Sequence, residues 1–164
     1  MSVRADAFYS TIVGAAKEMM FLTGHKAFGG WAAGGLHMTT FMFVGESSDY
    51  YNHVDFKDNV KWGNVRYATL GGTSVDGLLG GEFNRETDIK FSTKVYPMQH
   101  LHSGSGKIAE LYSALDSFAS TSTTKYNAFG NNSSTYTRHI LNNIGITPEL
   151  RKGFWVPGWN RTLP

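Results

Sequence analysis

Two residues in this chain have the type and place to do chemistry, one as a nucleophile and one as a base. Ser133 lies in the run Asn131-Asn132-Ser133-Ser134, where a polar loop beginning at Tyr126 turns into a helix. Tyr136, Ile140 and Ile144 then recur at helical spacing, and Gly145 follows where a left-handed residue commonly ends a helix. The first N–H groups of a helix lack intrahelical partners and form the positive end of its dipole. A nucleophile that must lose a proton is favoured at that point. His37 is the second residue. It opens a strand over residues 36–44, just after two glycines and a leucine, and imidazole is the side chain best suited to act as a base near neutral pH. Each has a plain structural alternative: a well-capped helix for Ser133, a hydrogen-bonded core histidine for His37. Their meeting in space would separate chemistry from packing.

Other polar groups make weaker cases. Asp49, His53, Asp55 and Asp58 lie in the loop 45–64, but their spacing matches neither an EF-hand nor a zinc motif. That stretch reads instead as a surface loop on the rim of the site. His100 and His102, two apart, are too few for a metal centre. The glycine-rich residues 28–35 contain neither GK[ST] nor GxGxxG, so they are no phosphate loop. The chain has no Cys, which removes disulfides, thiolate zinc and thiol catalysis from it as written. No metal and no cofactor is expected.

The elements that must position Ser133 and His37 can be read from periodicity. Residues 6–22 read as an amphipathic helix, with Phe8, Ile12, Ala16 and Met19 on one stripe. The strand 36–44 is apolar on both faces and so is expected at the centre of a sheet. A short strand over 65–70 is followed by a turn-rich connection, 71–81. Residues 88–96 alternate cleanly, Ile89, Phe91, Thr93 and Val95 against Lys90, Ser92, Lys94 and Tyr96, which predicts a half-exposed antiparallel strand stopped by Pro97. Ile108, Leu111, Tyr112, Leu115 and Phe118 predict a helix over 107–118 with Ser105 as its cap, then a polar linker, 117–125. The tail containing Trp155 and Trp159 is expected to pack back over the domain. Together these predict an α+β fold, a mostly antiparallel sheet packed with helices, in one domain spanning 1–164. With 41% apolar residues the chain can fill a core, and a net charge of +2 with no basic run argues against nucleic acid and acidic membrane surfaces. No apolar run approaches the ~20 residues of a membrane span. The N-terminal residues lack a signal peptide's apolar core.

The late phrase, Tyr126 followed by Asn131-Asn132-Ser133-Ser134-Thr135-Tyr136, and the early phrase GGLHMTTFMFVG around His37 resemble the circularly permuted branch of the NlpC/P60 and papain-like superfamily. Pro157-Gly158-Trp159 is similar to tails in that group. The resemblance implies a papain-like catalytic domain whose nucleophile is Ser133, standing where the family has Cys, and whose base is His37. It implies attack on an amide or ester carbonyl, with backbone N–H groups at the start of the 134–144 helix stabilising the oxyanion. A polar residue orienting the His would come from the next strand; Tyr67, Thr69, Arg66, His53 and Asn64 are near enough in sequence and none stands out.

Serine at 133 has three explanations: an introduced Cys→Ser exchange, a natural serine variant, or a relative kept for binding. The activity implied is that of a bacterial toxin or effector amidase or peptidase, with peptidoglycan peptides as a substrate and an immunity protein or a secretion-machine carrier as partner. Such a protein is cytoplasmic in the producing cell and is secreted or delivered into a target cell without a signal peptide. Two alternatives stay open. A lipid acyltransferase or phospholipase on the same fold would place an apolar groove beside the site. A carbohydrate-binding module would use the chain's abundant aromatic residues and keep His37 and Ser133 apart.

Overall fold

The computed structural model describes residues 17–26, 35–57, 61–62, 65–127 and 130–163. In chain order its elements are β1 (Glu18–Lys26), β2 (Leu36–Val44), a short helix α1 (Val54–Lys57), β3 (Lys61–Trp62), β4 (Val65–Val75) and β5 (Leu78–Phe83). They continue with α2 (Glu86–Lys90), a 3-10 turn (Phe91–Thr93), β6 (Tyr96–Gly104), α3 (Lys107–Thr121) and α4 (Ser133–Asn143). The strands form one six-stranded sheet, ordered β3-β4-β2-β1-β6 with β5 also on β4. Every pairing is antiparallel. The fold is α+β, and β2 is the central strand.

Both faces of the sheet are covered. On one, Met20, Leu22, Met38, Met42 and Val44 pack with Ile108 and Leu111 of α3 and with Tyr136, Ile140 and Leu141 of α4. On the other, Met19, Phe21, Phe41, Phe43, Val65 and Tyr67 gather around Val95. Strands buried on both sides carry apolar residues continuously rather than alternately. That explains the first correction: of the helix expected over 6–22, Glu18–Leu22 belongs to β1, and residues 6–16 lie outside the described residues. Met19, Met20, Phe21 and Leu22 send side chains alternately into two cores, so their run has no strand period to read.

Three further expectations change. Residues 88–95 are not a strand: α2 and the 3-10 turn occupy most of that span, and β6 begins at Tyr96. Pro97 lies inside β6, which an edge strand tolerates because the missing N–H breaks no inner ladder. The connection 71–81 is a hairpin, with Asp76 and Gly77 both at positive φ (52° and 85°) in its two-residue turn. The helix after β6 starts behind Gly106 rather than a Ser105 cap and reaches Thr121. The segment after it runs along β5, with the Leu79 N–H donating to the Thr124 carbonyl (2.8 Å) and the Tyr126 N–H to that of Gly77 (3.0 Å).

The placement of α4 follows from a gap in the sheet. β4 pairs with β2 only from Thr40 to Val44, and beyond Leu70 it runs with β5 instead. At Met38 one edge of β2 is therefore without a strand, and α4 fills it. The Met38 N–H donates to the Ser134 hydroxyl (3.2 Å), and the Thr137 hydroxyl donates to the Met38 carbonyl (3.0 Å). The hairpin makes room by having no side chains where α4 crosses it. A Cβ on Gly72 would lie 2.6 Å from the Tyr136 Cβ and 2.8 Å from the Ser133 Cα, and one on its register partner Gly81 would lie 2.7 Å from the Tyr136 ring.

Gly72→Ala should therefore destabilise the protein by roughly 1–3 kcal/mol, the usual range for overpacking, because the opposing atoms include helix backbone that cannot rotate away. Denaturant unfolding measures this; a midpoint equal to the parent's would mean that α4 does not rest on Gly72.

Candidate active site

The site begins with the cap of α4. Asn132 is extended, and its Oδ1 accepts from the N–H groups of Ser134 (3.0 Å) and Thr135 (3.3 Å), while its own N–H donates to the Thr135 hydroxyl (3.2 Å). Gly145 has φ of 79°. This reciprocal cap occupies the Ser134 and Thr135 amides. Of the first three helix N–H groups, only that of Ser133 lies outside it, so the oxyanion donors expected from the 134–144 helix reduce to the backbone of Ser133 itself.

The tail holds this cap from outside. The Asn132 amide donates to the Pro157 carbonyl (3.0 Å), the Thr135 hydroxyl to that of Gly158 (2.7 Å), and the Arg138 guanidinium to that of Trp159 (3.0 Å). The Leu36 N–H, one residue before His37, donates to the Trp155 carbonyl (2.9 Å). Gly158 sits at φ 83°, and a Cβ there would come within 2.6 Å of the Asn132 Cγ.

These contacts bring the two predicted residues together. The Ser133 Oγ lies 3.1 Å from the His37 Nδ1, though the residues are 96 positions apart. Ser133 is 2% exposed and His37 is half-buried. Burial, followed by the positive charges of His25 and Arg85, lowers the His37 pKa from 6.5 to about 4, with Asp88 working against them. The ring is neutral near pH 7, so with the proton on Nε2 its Nδ1 can accept from the Ser133 hydroxyl. A base of such low pKa is always ready but only weakly basic.

The described residues of the loop 45–64 make their contacts elsewhere. The loop leaves β2 at Val44, about 23 Å along the strand from His37 at roughly 3.3 Å per residue. It packs on α3 instead, where the Tyr112 hydroxyl donates to Asp55 (2.7 Å) and Tyr50 stacks on Tyr112. Four of the five sequence candidates for orienting His37 are also placed elsewhere. Thr69, Tyr67 and Arg66 pair with Phe41, Phe43 and Val44, four or more positions along β2. His53 belongs to the Tyr112 cluster, and Asn64 lies outside the described residues. His100 contacts Phe21 and Ser103 on β6. Among the described residues no three His, Asp or Glu gather to hold a metal.

What stands beside His37 is a buried polar cluster that sequence reasoning missed. Arg85 grips Asp88 through two bonds of 2.7 Å, Nε to Oδ2 and Nη2 to Oδ1. The Asp88 Oδ1 also accepts from the Thr39 hydroxyl and from the His25 Nε2, each at 3.0 Å. Arg85 donates in addition to the Gly72 carbonyl and, at 3.3 Å, to the Thr39 hydroxyl. Burial raises the Asp88 pKa, but the hydrogen bonds and charges of His25 and Arg85 outweigh it and hold the carboxyl at about 2. One signal was available: Arg85 and Asp88 are three residues apart, a spacing that suits a helical start better than a strand.

No protein-family model, no curated protein and no solved structure matches this chain. Among the described residues no helix is long and apolar enough to cross a membrane.

His37 and Asp88 both bind a proton more weakly in the folded chain than in the unfolded one. Each contribution to stability is therefore complete above the unfolded pKa and lost as pH falls, between about 6.5 and 4 for His37 and between about 3.8 and 2 for Asp88. His37→Gln should flatten the first stage and leave the second. Unfolding free energies measured at stepped pH test this; parallel curves for the two proteins would contradict a depressed His37.

Proposed function

We propose that this chain is a papain-like hydrolase or acyl transferase of the permuted NlpC/P60 type, with residue 133 as nucleophile and His37 as base. The observation that carries the reading is the 3.1 Å approach of the Ser133 Oγ to the His37 Nδ1 at a helix N-terminus. A capped helix and a core histidine give no reason for that approach, and a carbohydrate-binding module gives none either.

The reaction divides into familiar parts. The Ser133 hydroxyl attacks the carbonyl carbon of an amide or ester while its proton passes to the His37 Nδ1. The developing oxyanion is favoured by the Ser133 N–H and the positive end of α4. His37 then protonates the leaving amine or alcohol, and water releases the acyl group by the reverse path. Serine asks more of this site than cysteine would, because an alkanol is far less acidic than a thiol and the base is weak. The reading therefore keeps cysteine as the residue to which the site is suited, and peptidoglycan peptides as the first substrates to try.

Ser133→Cys should raise hydrolysis of a peptidoglycan peptide or a model ester, and His37→Ala in that background should lower it by roughly 10²–10⁴-fold, the usual contribution of a general base. Assays on peptide amides, glycerophospholipid esters and soluble glycans, run together, separate the alternatives. A cysteine form as inactive as the serine form on all amides and esters, with glycan binding retained, would overturn the hydrolase reading.

A further inference from the structure

The His37 ring has an unusual neighbour. β1 and β2 pair with His25 opposite His37, and the two imidazoles stack, with centroids 5.7 Å apart and planes at 25°. Phe91 also stacks on His25, at 5.3 Å and 8°. His25 thus meets both rings, and of the two His37 is the one that meets Ser133. His25 is itself fixed: its Nε2 lies 3.0 Å from the Asp88 Oδ1 and its Nδ1 3.2 Å from the Lys26 carbonyl. Both partners are acceptors. His25 is 2% exposed and Asp88 1%.

Resting on the reading of Ser133 and His37 as a reacting pair, we propose that His25, anchored by Asp88, is its positioning residue. His25 sets the plane of the His37 ring by stacking and adds to what burial does in keeping that ring unprotonated, so that its Nδ1 stays free for the proton of residue 133. Orienting side chains usually act through a hydrogen bond to the far nitrogen of the base; here the face of the ring is used instead. The charged and titratable groups facing His37 among the described residues are His25 from β1 and Arg85 and Asp88 around the start of α2. The last two neutralise each other across their paired bonds. Of the three, His25 is the one whose ring stacks on that of His37.

Two replacements separate ring from charge. His25→Phe keeps an aromatic face against His37 and loses the charge. His25→Gln keeps a donor for Asp88 and loses both ring and charge. The pH titration of the His37 ring protons by NMR reads the first effect directly, without a substrate. Its midpoint should rise measurably in both variants, since His25 is, after burial, one of the groups that lower it. The alkylation rate of a Ser133→Cys form by iodoacetamide reads the pair. Its pH profile should change on His37→Ala, and its maximum should fall more than about tenfold with His25→Gln but much less with His25→Phe, because misplacement of a reacting group is costly. An alkylation profile unaffected by His37→Ala overturns the pair and His25's role with it. A profile that responds to His37→Ala, with the His37 midpoint unmoved in both His25 variants, overturns His25's role alone.

Discussion

The architecture depends on one exchange of partners at Met38. Where β4 turns away from β2, the Met38 N–H and carbonyl would be left without a ladder inside the protein, and unpaired buried backbone groups are costly. The hydroxyls of Ser134 and Thr137 take the place of the missing strand. A helix is thereby tied to a strand by two side chains one turn apart, and the tie fixes more than stability. Ser133 precedes Ser134 and His37 precedes Met38, so pinning the second pair brings the first pair face to face. The glycines of the hairpin serve the same end, since α4 could not come this close to β2 with β-carbons beneath it.

The second constraint is electrostatic. Arg85 and Asp88 are almost fully buried, and burying charges is tolerated only when they are paired and their remaining hydrogen-bonding positions are filled. Here the filling comes from Thr39, His25 and the Gly72 carbonyl, each on a different strand. The cluster thus crosses β1, β2 and β4 at the level of His37. Polar groups that need so many partners at once also specify register: sliding β1 past β2 by one residue would send His25 to the other face and leave Asp88 short of a donor.

Much of this was legible in the sequence. The helix over Ser133–Asn143 announced itself through its asparagine cap, its stripe and its terminal glycine, all of which are local features. The central position of β2 followed from apolar residues on both faces. His37 and Ser133 were recognisable as residues worth joining, although only coordinates could join them. Failures came where tertiary context overrode local pattern. β1 and an amphipathic helix share the run Met19-Met20-Phe21-Leu22, and a run buried on two sides has no period that tells them apart. Ile89 to Val95 alternated like a strand, but the demand of Arg85 and Asp88 for partners on three strands made a helical turn there the better solution. The Asp76-Gly77 hairpin was readable, since that dipeptide is a strong turn signal, and the surrounding glycines hid it. His25 could not have been found without the β1–β2 register.

The strap formed by Trp155–Trp159 bears on when the site can exist at all. A ribosome makes β2 first, α4 about a hundred residues later, and the strap after both. Until the strap arrives, the Trp155 and Pro157 carbonyls that accept from the Leu36 N–H and the Asn132 amide are missing, as is the left-handed Gly158 that fits against Asn132. A nascent chain therefore carries Ser133 and His37, and the Met38 tie beside them, before it has the outer contacts that finish the cap of α4. Completion of the cap is deferred to the final stage of synthesis, and a chain cut short before residue 155 lacks the carbonyls to which Leu36, Asn132 and Thr135 donate.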